Sequence, residues 1–302
     1  MDEYYQVVMG ELTVVTGVPN SGKSEWIDAL LVNLAVRNGF QFALCSMENQ
    51  PQDHMRKLAE KYTGKPLVAR ARYAAGNATM ELSEASAALE WIAEHFVWIR
   101  HEQDGLPSIE WVLEMALYAV RRHGIRGLVI DPYNELEHQR PQGVTETNYV
   151  SNMLSRVKRF AQMYGVHVWF VAHPRQLYEH GDDPPNLYDI SGSSHWHNKA
   201  DNGLVVHRYR RAERRDEVEV HVLKVRNKMA GRLGKVPFAY HAVDGTYTVD
   251  EERLEEANAG GEESARRLNG VVQRGRDKKR SGNGEAKEAS GGSGVSGGAA
   301  AR

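Results

Sequence analysis

Residues 10–24 read Gly10-Glu11-Leu12-Thr13-Val14-Val15-Thr16-Gly17-Val18-Pro19-Asn20-Ser21-Gly22-Lys23-Ser24, and the architecture turns on them. Glu11 to Thr16 is a β-branched run closed by a glycine, the pattern of a buried strand. Beyond it, Trp26, Ile27, Leu30, Leu31 and Leu34 fall at helical spacing, and Gly39 supplies a helix stop. Between strand and helix, residues 17–24 match G-x-x-x-x-G-K-[ST] in the context that this motif requires. The glycines let the loop Gly17, Val18, Pro19, Asn20, Ser21, Gly22 aim backbone N–H groups at phosphate oxygens, and the helix N-terminus adds a favourable dipole. Lys23 is then expected to reach the β- and γ-phosphates and Ser24 to ligate Mg²⁺. The stretch predicts a site for a nucleoside triphosphate.

Downstream, strand candidates recur at 42–46, 96–99, 128–131 and 166–172, separated by amphipathic helices such as 109–120 and 149–164, which stop at Gly124 and Gly165. Shorter strands follow at 204–206, 218–225, 236–240 and 246–249. Strands alternating with helices predict an α/β fold: a mostly parallel central sheet flanked by helices, extended by antiparallel edge strands. Residues 1–250 are expected to form one domain. The last aromatic residue is Tyr247, and residues 251–302 hold eleven of the 28 glycines, so this segment is expected to be a disordered, Gly/Ser-rich charged tail. Its basic cluster at 274–280 (RGRDKKR) reads as solvated tail in preference to a DNA-touching arm.

Composition narrows the class. The chain has 302 residues, 41% of them hydrophobic, and a net charge of −2, which excludes a generally basic nucleic-acid coat. Any polyanion must be held locally, by a few loops or by a channel between subunits. No run of eighteen apolar residues occurs, so no membrane span is expected. The start, Met1-Asp2-Glu3, resembles neither a signal peptide nor an Arg-rich transit peptide. One cysteine, Cys45, excludes an internal disulfide and a Cys-based zinc site. Together these predict a reducing cytoplasmic setting.

A metal-bound triphosphate needs a second acidic ligand. Gly127-Leu-Val-Ile-Asp131 is an apolar strand ending in a carboxylate about 110 residues after the phosphate loop, so Asp131 is expected to hold Mg²⁺ directly or through water. Glu48 directly follows the strand 42–46, at the sheet edge where open α/β sheets bind ligands. From residues alone it reads equally as a general base and as an exposed loop glutamate. His195-Trp196-His197 lacks a third ligand and is not read as a metal site.

Several segments together resemble the RecA-type motor of the DnaB/Twinkle and phage helicase–primase family of hexameric replicative helicases. They are residues 10–24, SMEN (46–49), LVIDPY (128–133), VHVWFVAHPRQ (166–176), DISGSSHWHNKADNGLVVHR (189–208) and VLKVRNK (222–228), in the family's order. The resemblance implies a catalytic role for Glu48 and a γ-phosphate sensor at His173. Lys224 and Arg226, which alternation puts on one strand face, correspond to the arginine-finger pair that reaches a neighbouring subunit's nucleotide. Without it they read as a solvated edge-strand face. It also implies that Arg208 and Tyr240 contact the nucleotide base. Arg175, Arg140 and Asn198 fall in segments that face single-stranded DNA, and Asn198 stands where the family usually has glutamine.

The function so implied is an ATP-driven DNA helicase motor, with ATP or another NTP or dNTP and Mg²⁺ as cofactors. It would translocate on single-stranded DNA as a homo-oligomeric ring, a hexamer in the family, in DNA replication alongside a primase or polymerase. Bacterial or phage-infected cytoplasm is the expected setting. Because the phosphate-loop strand starts about ten residues from Met1, neither the family's linker helix nor a primase domain is expected in this chain. A RecA- or KaiC-like ATP-switched assembly or recombination ATPase, binding DNA or a partner without unwinding, shares the fold and site and is the alternative. A small-molecule kinase is disfavoured by the lack of a lid with an arginine cluster.

Overall fold

Strand β1 (Leu12–Thr16) is buried at every position and lies between two parallel partners, β5 (His167–Val171) and β6 (Asn202–Arg208). The computed structural model describes residues 1–69, 78–102, 105–137, 143–175, 183–191, 194–209 and 217–259. Beyond β5 come β4 (Gly127–Asp131), β2 (Phe42–Ser46) and β3 (Phe96–Trp98), all parallel. Beyond β6 come β7 (Glu217–Val225), β8 (Gly234–His241) and β9 (Thr246–Val249), each antiparallel to its neighbour. The full order is β3-β2-β4-β5-β1-β6-β7-β8-β9. β1, β4 and β5 are buried along their whole length, as strands covered on both faces must be.

The helices follow from spacing and punctuation. In α1 (Lys23–Asn38), α2 (Pro51–Thr63), α4 (Ile109–His123) and α5 (Glu146–Tyr164), a left-handed glycine ends the helix: Gly39, Gly64, Gly124 and Gly165. Ser108 and Thr145 cap α4 and α5 by accepting the backbone N–H groups of Trp111 and Asn148. α3 (Leu82–His95) starts on a capping box between Glu81 and Glu84. Val112 and Ala116 of α4 and Leu154 and Val157 of α5 pack with Leu12, Val14, Ile130 and Phe170 in one core. The alternate strand residues Val15, Leu44 and Trp169 face the other side, where α1, α2 and α3 pack in succession and bury Ile27, Leu31, Leu58 and Ile92. Among the described residues no helix is long and apolar enough to cross a membrane.

The chain divides into two units, Met1–Glu251 and Glu252–Arg302. Residues 251–259 are helical, a correction to the expectation that regular structure stops at 250: Glu251, Glu252, Leu254, Glu255 and Glu256 are good helix formers whose local propensity needs no aromatic core. Residues 260–302, with the basic cluster, lie outside the described residues.

What matters for function is the polarity of the sheet. The parallel strands deliver the phosphate loop after β1, Glu48 after β2, Asp131 at the end of β4, His173 after β5 and Arg208 at the end of β6 to one carboxyl edge. The antiparallel β7 ends at the opposite edge, where Val225 pairs with Asn202 and Arg226 N–H donates to the Asp201 carbonyl at 2.9 Å.

Candidate active site

The phosphate loop is shaped by backbone conformations that few residues adopt. Gly17 has φ +152°, and a Cβ there would stand 2.3 Å from the Val206 carbonyl oxygen and 2.6 Å from Ser21 Oγ. Gly22 has φ +91° and starts α1, and Asn20 is left-handed at φ +64°. The Ser21 hydroxyl is buried inside the loop beside Gly17, with no partner among the described residues. Lys23 Nζ donates to the Gly17 and Val18 carbonyls at 3.0 and 3.1 Å, and burial lowers its pKa, with Asp131 and Glu48 opposing.

A cleft of about 530 Å³ opens over this loop. It brings together Pro19, Asn20, Gly22, Lys23, Ser24, Glu48, Asp131, His173 and Arg208, residues drawn from five strand ends. Ser24 Oγ donates to Asp131 Oδ2 at 2.6 Å. Two hard oxygen donors side by side suit Mg²⁺, which prefers hydroxyl, carboxylate, phosphate and water oxygens. Burial pushes the Asp131 carboxyl up to about 6; the Ser24 hydrogen bond and Lys23 oppose this, while Asp28 and Glu48 add to it. A carboxylate so short of positive charge fits a divalent cation beside it. His173 Nε2 lies 3.4 Å from Glu48 Oε1, and the Asn134 side chain accepts the His173 backbone N–H at 3.1 Å. Burial and then the Lys23 charge lower the His173 pKa, with the Glu48 carboxylate opposing them. Glu48 remains about half exposed and able to meet a water.

The Arg208 guanidinium sits 5.5 Å over the Tyr240 ring. Arg208 lines the cleft and Tyr240 supports it from β8, without lining the cleft itself. Three contributors were not singled out from sequence: Glu25, Asn49 and Lys57. Lys57 and the buried Lys61, both on α2, hold Glu25 of α1 at 2.8 and 2.5 Å, and Lys57 also reaches Asn49 Oδ1 at 3.4 Å. The signals for α2 are present in the sequence: Pro51 at its first turn, Met55, Leu58, Ala59 and Tyr62 at helical spacing, and Gly64 as the stop. Tyr247, on β9, comes close behind the loop: a Cβ on Gly22 would stand 3.3 Å from its hydroxyl.

The remaining candidates fall elsewhere. Lys224 Nζ donates to the carbonyls of His197 and, at 3.3 Å, Asn198. Arg226 stands one residue beyond β7 and donates to the Asn198 and Ala200 carbonyls at 3.3 Å, with its Nε 3.1 Å from Asp201 Oδ1. Both cations therefore gather at the C-terminal end of α6 (His195–Lys199), beside Asn198. β6 spans seven residues, or about 20 Å, between this cluster and Arg208, farther than an arginine side chain reaches. Arg175 is exposed and donates to the Tyr188 carbonyl at 3.2 Å, while Pro174 bridges to Ile190. Arg175 and Asn198 thus stand in different settings. Arg140 lies outside the described residues. Trp196 of the His-Trp-His triplet is fully buried, and no group of three metal-ligating side chains occurs among the described residues.

Comparisons with known proteins agree with this architecture. The sequence model of the DnaB-like helicase C-terminal domain matches residues 4–247. The Twinkle homolog protein, chloroplastic/mitochondrial, of Arabidopsis thaliana is 55% identical over 250 residues, which is 82% of this chain and 35% of that protein. The chain thus spans about a third of the length of this curated relative. Two solved structures share the fold. One is an ATPase domain (TM-score 0.66, 21% identity, covering 80% of this chain and 85% of that one). The other is a DnaB-like replicative helicase described with its interactions with primase (TM-score 0.65, 20% identity, 80% and 59%). The relative from Arabidopsis overturns the expected bacterial or phage-infected cytoplasm, because it is a plant protein named for chloroplast and mitochondrion. Cysteine count and composition report redox tolerance and solubility; an organellar address is read by receptors and leaves no mark on a folded motor.

Proposed function

This chain belongs to the DnaB-like helicase C-terminal domain family, and from that membership we propose that it is the ATP-hydrolysing motor of a replicative DNA helicase that works between adjacent copies in a ring. The observation that carries this reading is the separation of Arg208, in the cleft, from Lys224 and Arg226 at the other end of β6 and β7. A chain whose positive pair faces away from its own cleft can use that pair on the nucleotide of a neighbour. Head-to-tail contacts of this kind close into rings.

In this reading Lys23 and the loop amides hold the phosphates, and Ser24 and Asp131 hold Mg²⁺. When bound, Mg²⁺ supplies charge neutralisation at the phosphate oxygens. Glu48 orients a water and takes its proton. His173, hydrogen-bonded to Glu48 and chained to the segment that carries Arg175, passes the loss of the γ-phosphate to that segment. Arg226 of the adjacent copy stabilises charge on the transferring phosphoryl group, a contribution on the order of 10³–10⁵ in rate. The polymer is single-stranded DNA, held by Arg175, Asn198 and Arg140; primase is a partner and a hexamer the assembly. A plant organelle is the setting that the Twinkle homolog supports.

Mixing tests the reading. Lys23→Ala and Arg226→Ala proteins should each fail to hydrolyse ATP alone and regain part of the activity when combined, since some seams then join an intact cradle to an intact arginine. Activity in Arg226→Ala protein equal to that of the unaltered chain would overturn the proposal.

A further inference from the structure

The bend that carries Glu48 is short and held at few points. Residues 47–50 join β2 to α2 without regular structure, and the Met47 N–H, donating to the Asp131 carbonyl at 2.9 Å, ties their start to β4. Pro51 then opens α2 and has no N–H to offer. Glu48 itself is about half exposed, and His173 is its one side-chain partner among the described residues. The next side chain is held at both of its ends. Asn49 Nδ2 donates to Ser46 Oγ at 3.1 Å, and Asn49 Oδ1 accepts from Lys57 Nζ at 3.4 Å.

Lys57 is more than the pairing of α1 with α2 requires. Glu25 already receives the buried Lys61 at 2.5 Å, and Lys57 reaches its other carboxylate oxygen at 2.8 Å, so one carboxylate faces two ammonium groups. Lys61 is enclosed between the helices. Lys57, one turn nearer the start of α2 and about a quarter exposed, lines the nucleotide cleft together with Asn49. Burial works against its charge, but Glu25 outweighs burial and raises its pKa, so the ammonium persists at neutral pH. A relay of side chains therefore runs from Lys61 through Glu25, Lys57 and Asn49 to Ser46. It links the end of β2 to the first turn of α1, where Glu25 directly follows Ser24, and Glu48 lies within its span.

We propose that Lys57 is a positioning residue for ATP hydrolysis: through Asn49 it fixes the bend 47–50 against α1 and so sets where Glu48 stands in the cleft. The catalytic consequence rests on Glu48 acting as the base in the function proposed above; the tether itself does not. Supporting groups of this kind hold a reactive side chain in its productive geometry. A base displaced by about 1 Å loses on the order of a hundredfold in rate. The tether therefore bears on kcat and leaves alone the binding of ATP by Lys23 and the loop amides.

Asn49→Ala breaks the relay without changing charge, and Lys57→Met breaks it while leaving Lys61 on Glu25. Each should lower kcat by about tenfold to a hundredfold and change KM for ATP by less than about twofold. Lys57→Arg, which keeps a charged donor, should restore most of the rate, and circular dichroism confirms folding. In Glu48→Gln protein neither change should slow the residual hydrolysis further, because both act through Glu48. Unchanged kcat in both variants while Glu48→Gln is impaired overturns the proposal, as does the same fractional loss with and without Glu48. A second measurement does not use activity: titration of the His173 ring by NMR. The Glu48 carboxylate raises the His173 pKa, so a Glu48 free to swing away should lower it in both variants. A His173 pKa raised in Lys57→Met and unchanged in Asn49→Ala reports only a lost cation and overturns the proposal. A lowered His173 pKa in both, with full hydrolysis in Glu48→Gln protein, upholds the tether and overturns only the reading of Glu48 as the base.

Discussion

The ring nitrogen Nε2 of His173 lies 3.4 Å from the Glu48 carboxylate, joining residues 125 positions apart at the ends of β5 and β2. Their strands are separated by β4, whose own end carries Asp131. The sheet thus sets Glu48, Asp131 and His173 in a row along one edge, where the proposed function makes them the base, the metal ligand and the reporter.

Glu48→Gln should lower steady-state ATP hydrolysis by on the order of 10²–10⁴ with nucleotide affinity little changed. His173→Ala keeps the base and removes its partner, so it should leave more hydrolysis than Glu48→Gln while weakening its stimulation by single-stranded DNA. Phosphate-release kinetics with and without DNA check both.

Asp131→Asn keeps the hydrogen bond from Ser24 and removes the charge, so the Mg²⁺ concentration for half-maximal hydrolysis should rise at least tenfold. Chelation with EDTA should abolish hydrolysis in the unaltered chain, and added Mg²⁺ should restore it. A Mg²⁺ titration of initial rates reads both effects.

Glu25 anchors α1 to α2. Burial alone would raise its pKa, but Lys61 and then Lys57 outweigh burial and bring it down to about 2 from the ordinary 4.5. A carboxyl with a folded value below its unfolded one stabilises the fold above the unfolded value and loses that contribution as pH falls from about 4.5 toward 2. Glu25→Gln, which also strands the buried Lys61 ammonium, should cost about 2–4 kcal/mol at pH 7. Urea unfolding should show the gap between variant and unaltered chain narrowing at pH 3.

Gly127 opens β4 under two aromatic rings: a Cβ there would stand 2.6 Å from Phe42 and 2.7 Å from Trp169. Gly127→Ala should therefore destabilise the sheet by about 1–3 kcal/mol, lowering the thermal midpoint without changing nucleotide affinity at temperatures where the chain is folded.

Much of this molecule is legible along its sequence. Glycines at the loop, alternation and apolar runs in the strands, and glycine stops after helices are local instructions, each acting within a few residues through backbone conformation and burial. For the same reason Lys23 and Ser24, at the start of the helix after β1, and Asp131, at the end of β4, stand out from sequence pattern alone, whereas Glu48 reads equally as a loop glutamate until the family resemblance is added. α2 is harder to read because it buries ionisable residues, His54, Glu60 and Lys61, along with its apolar ones, so Lys57 and Lys61 look like ordinary surface charge until Glu25 is seen beside them.

The cradle is written in consecutive residues: a strand, a turn that tolerates left-handed glycine, and a helix whose first amides point at phosphate. The partnerships across the sheet are not. That Arg226 shares Asp201 with Lys158 rather than facing its own phosphate-loop cleft, and that Arg159 and Lys199 share one cavity, emerges only from the folded chain. The difference is physical. Local backbone preferences act between neighbours in the chain, whereas which charges meet is fixed by the antiparallel return of β7 and the packing of α5 on α6, contacts between residues far apart in sequence.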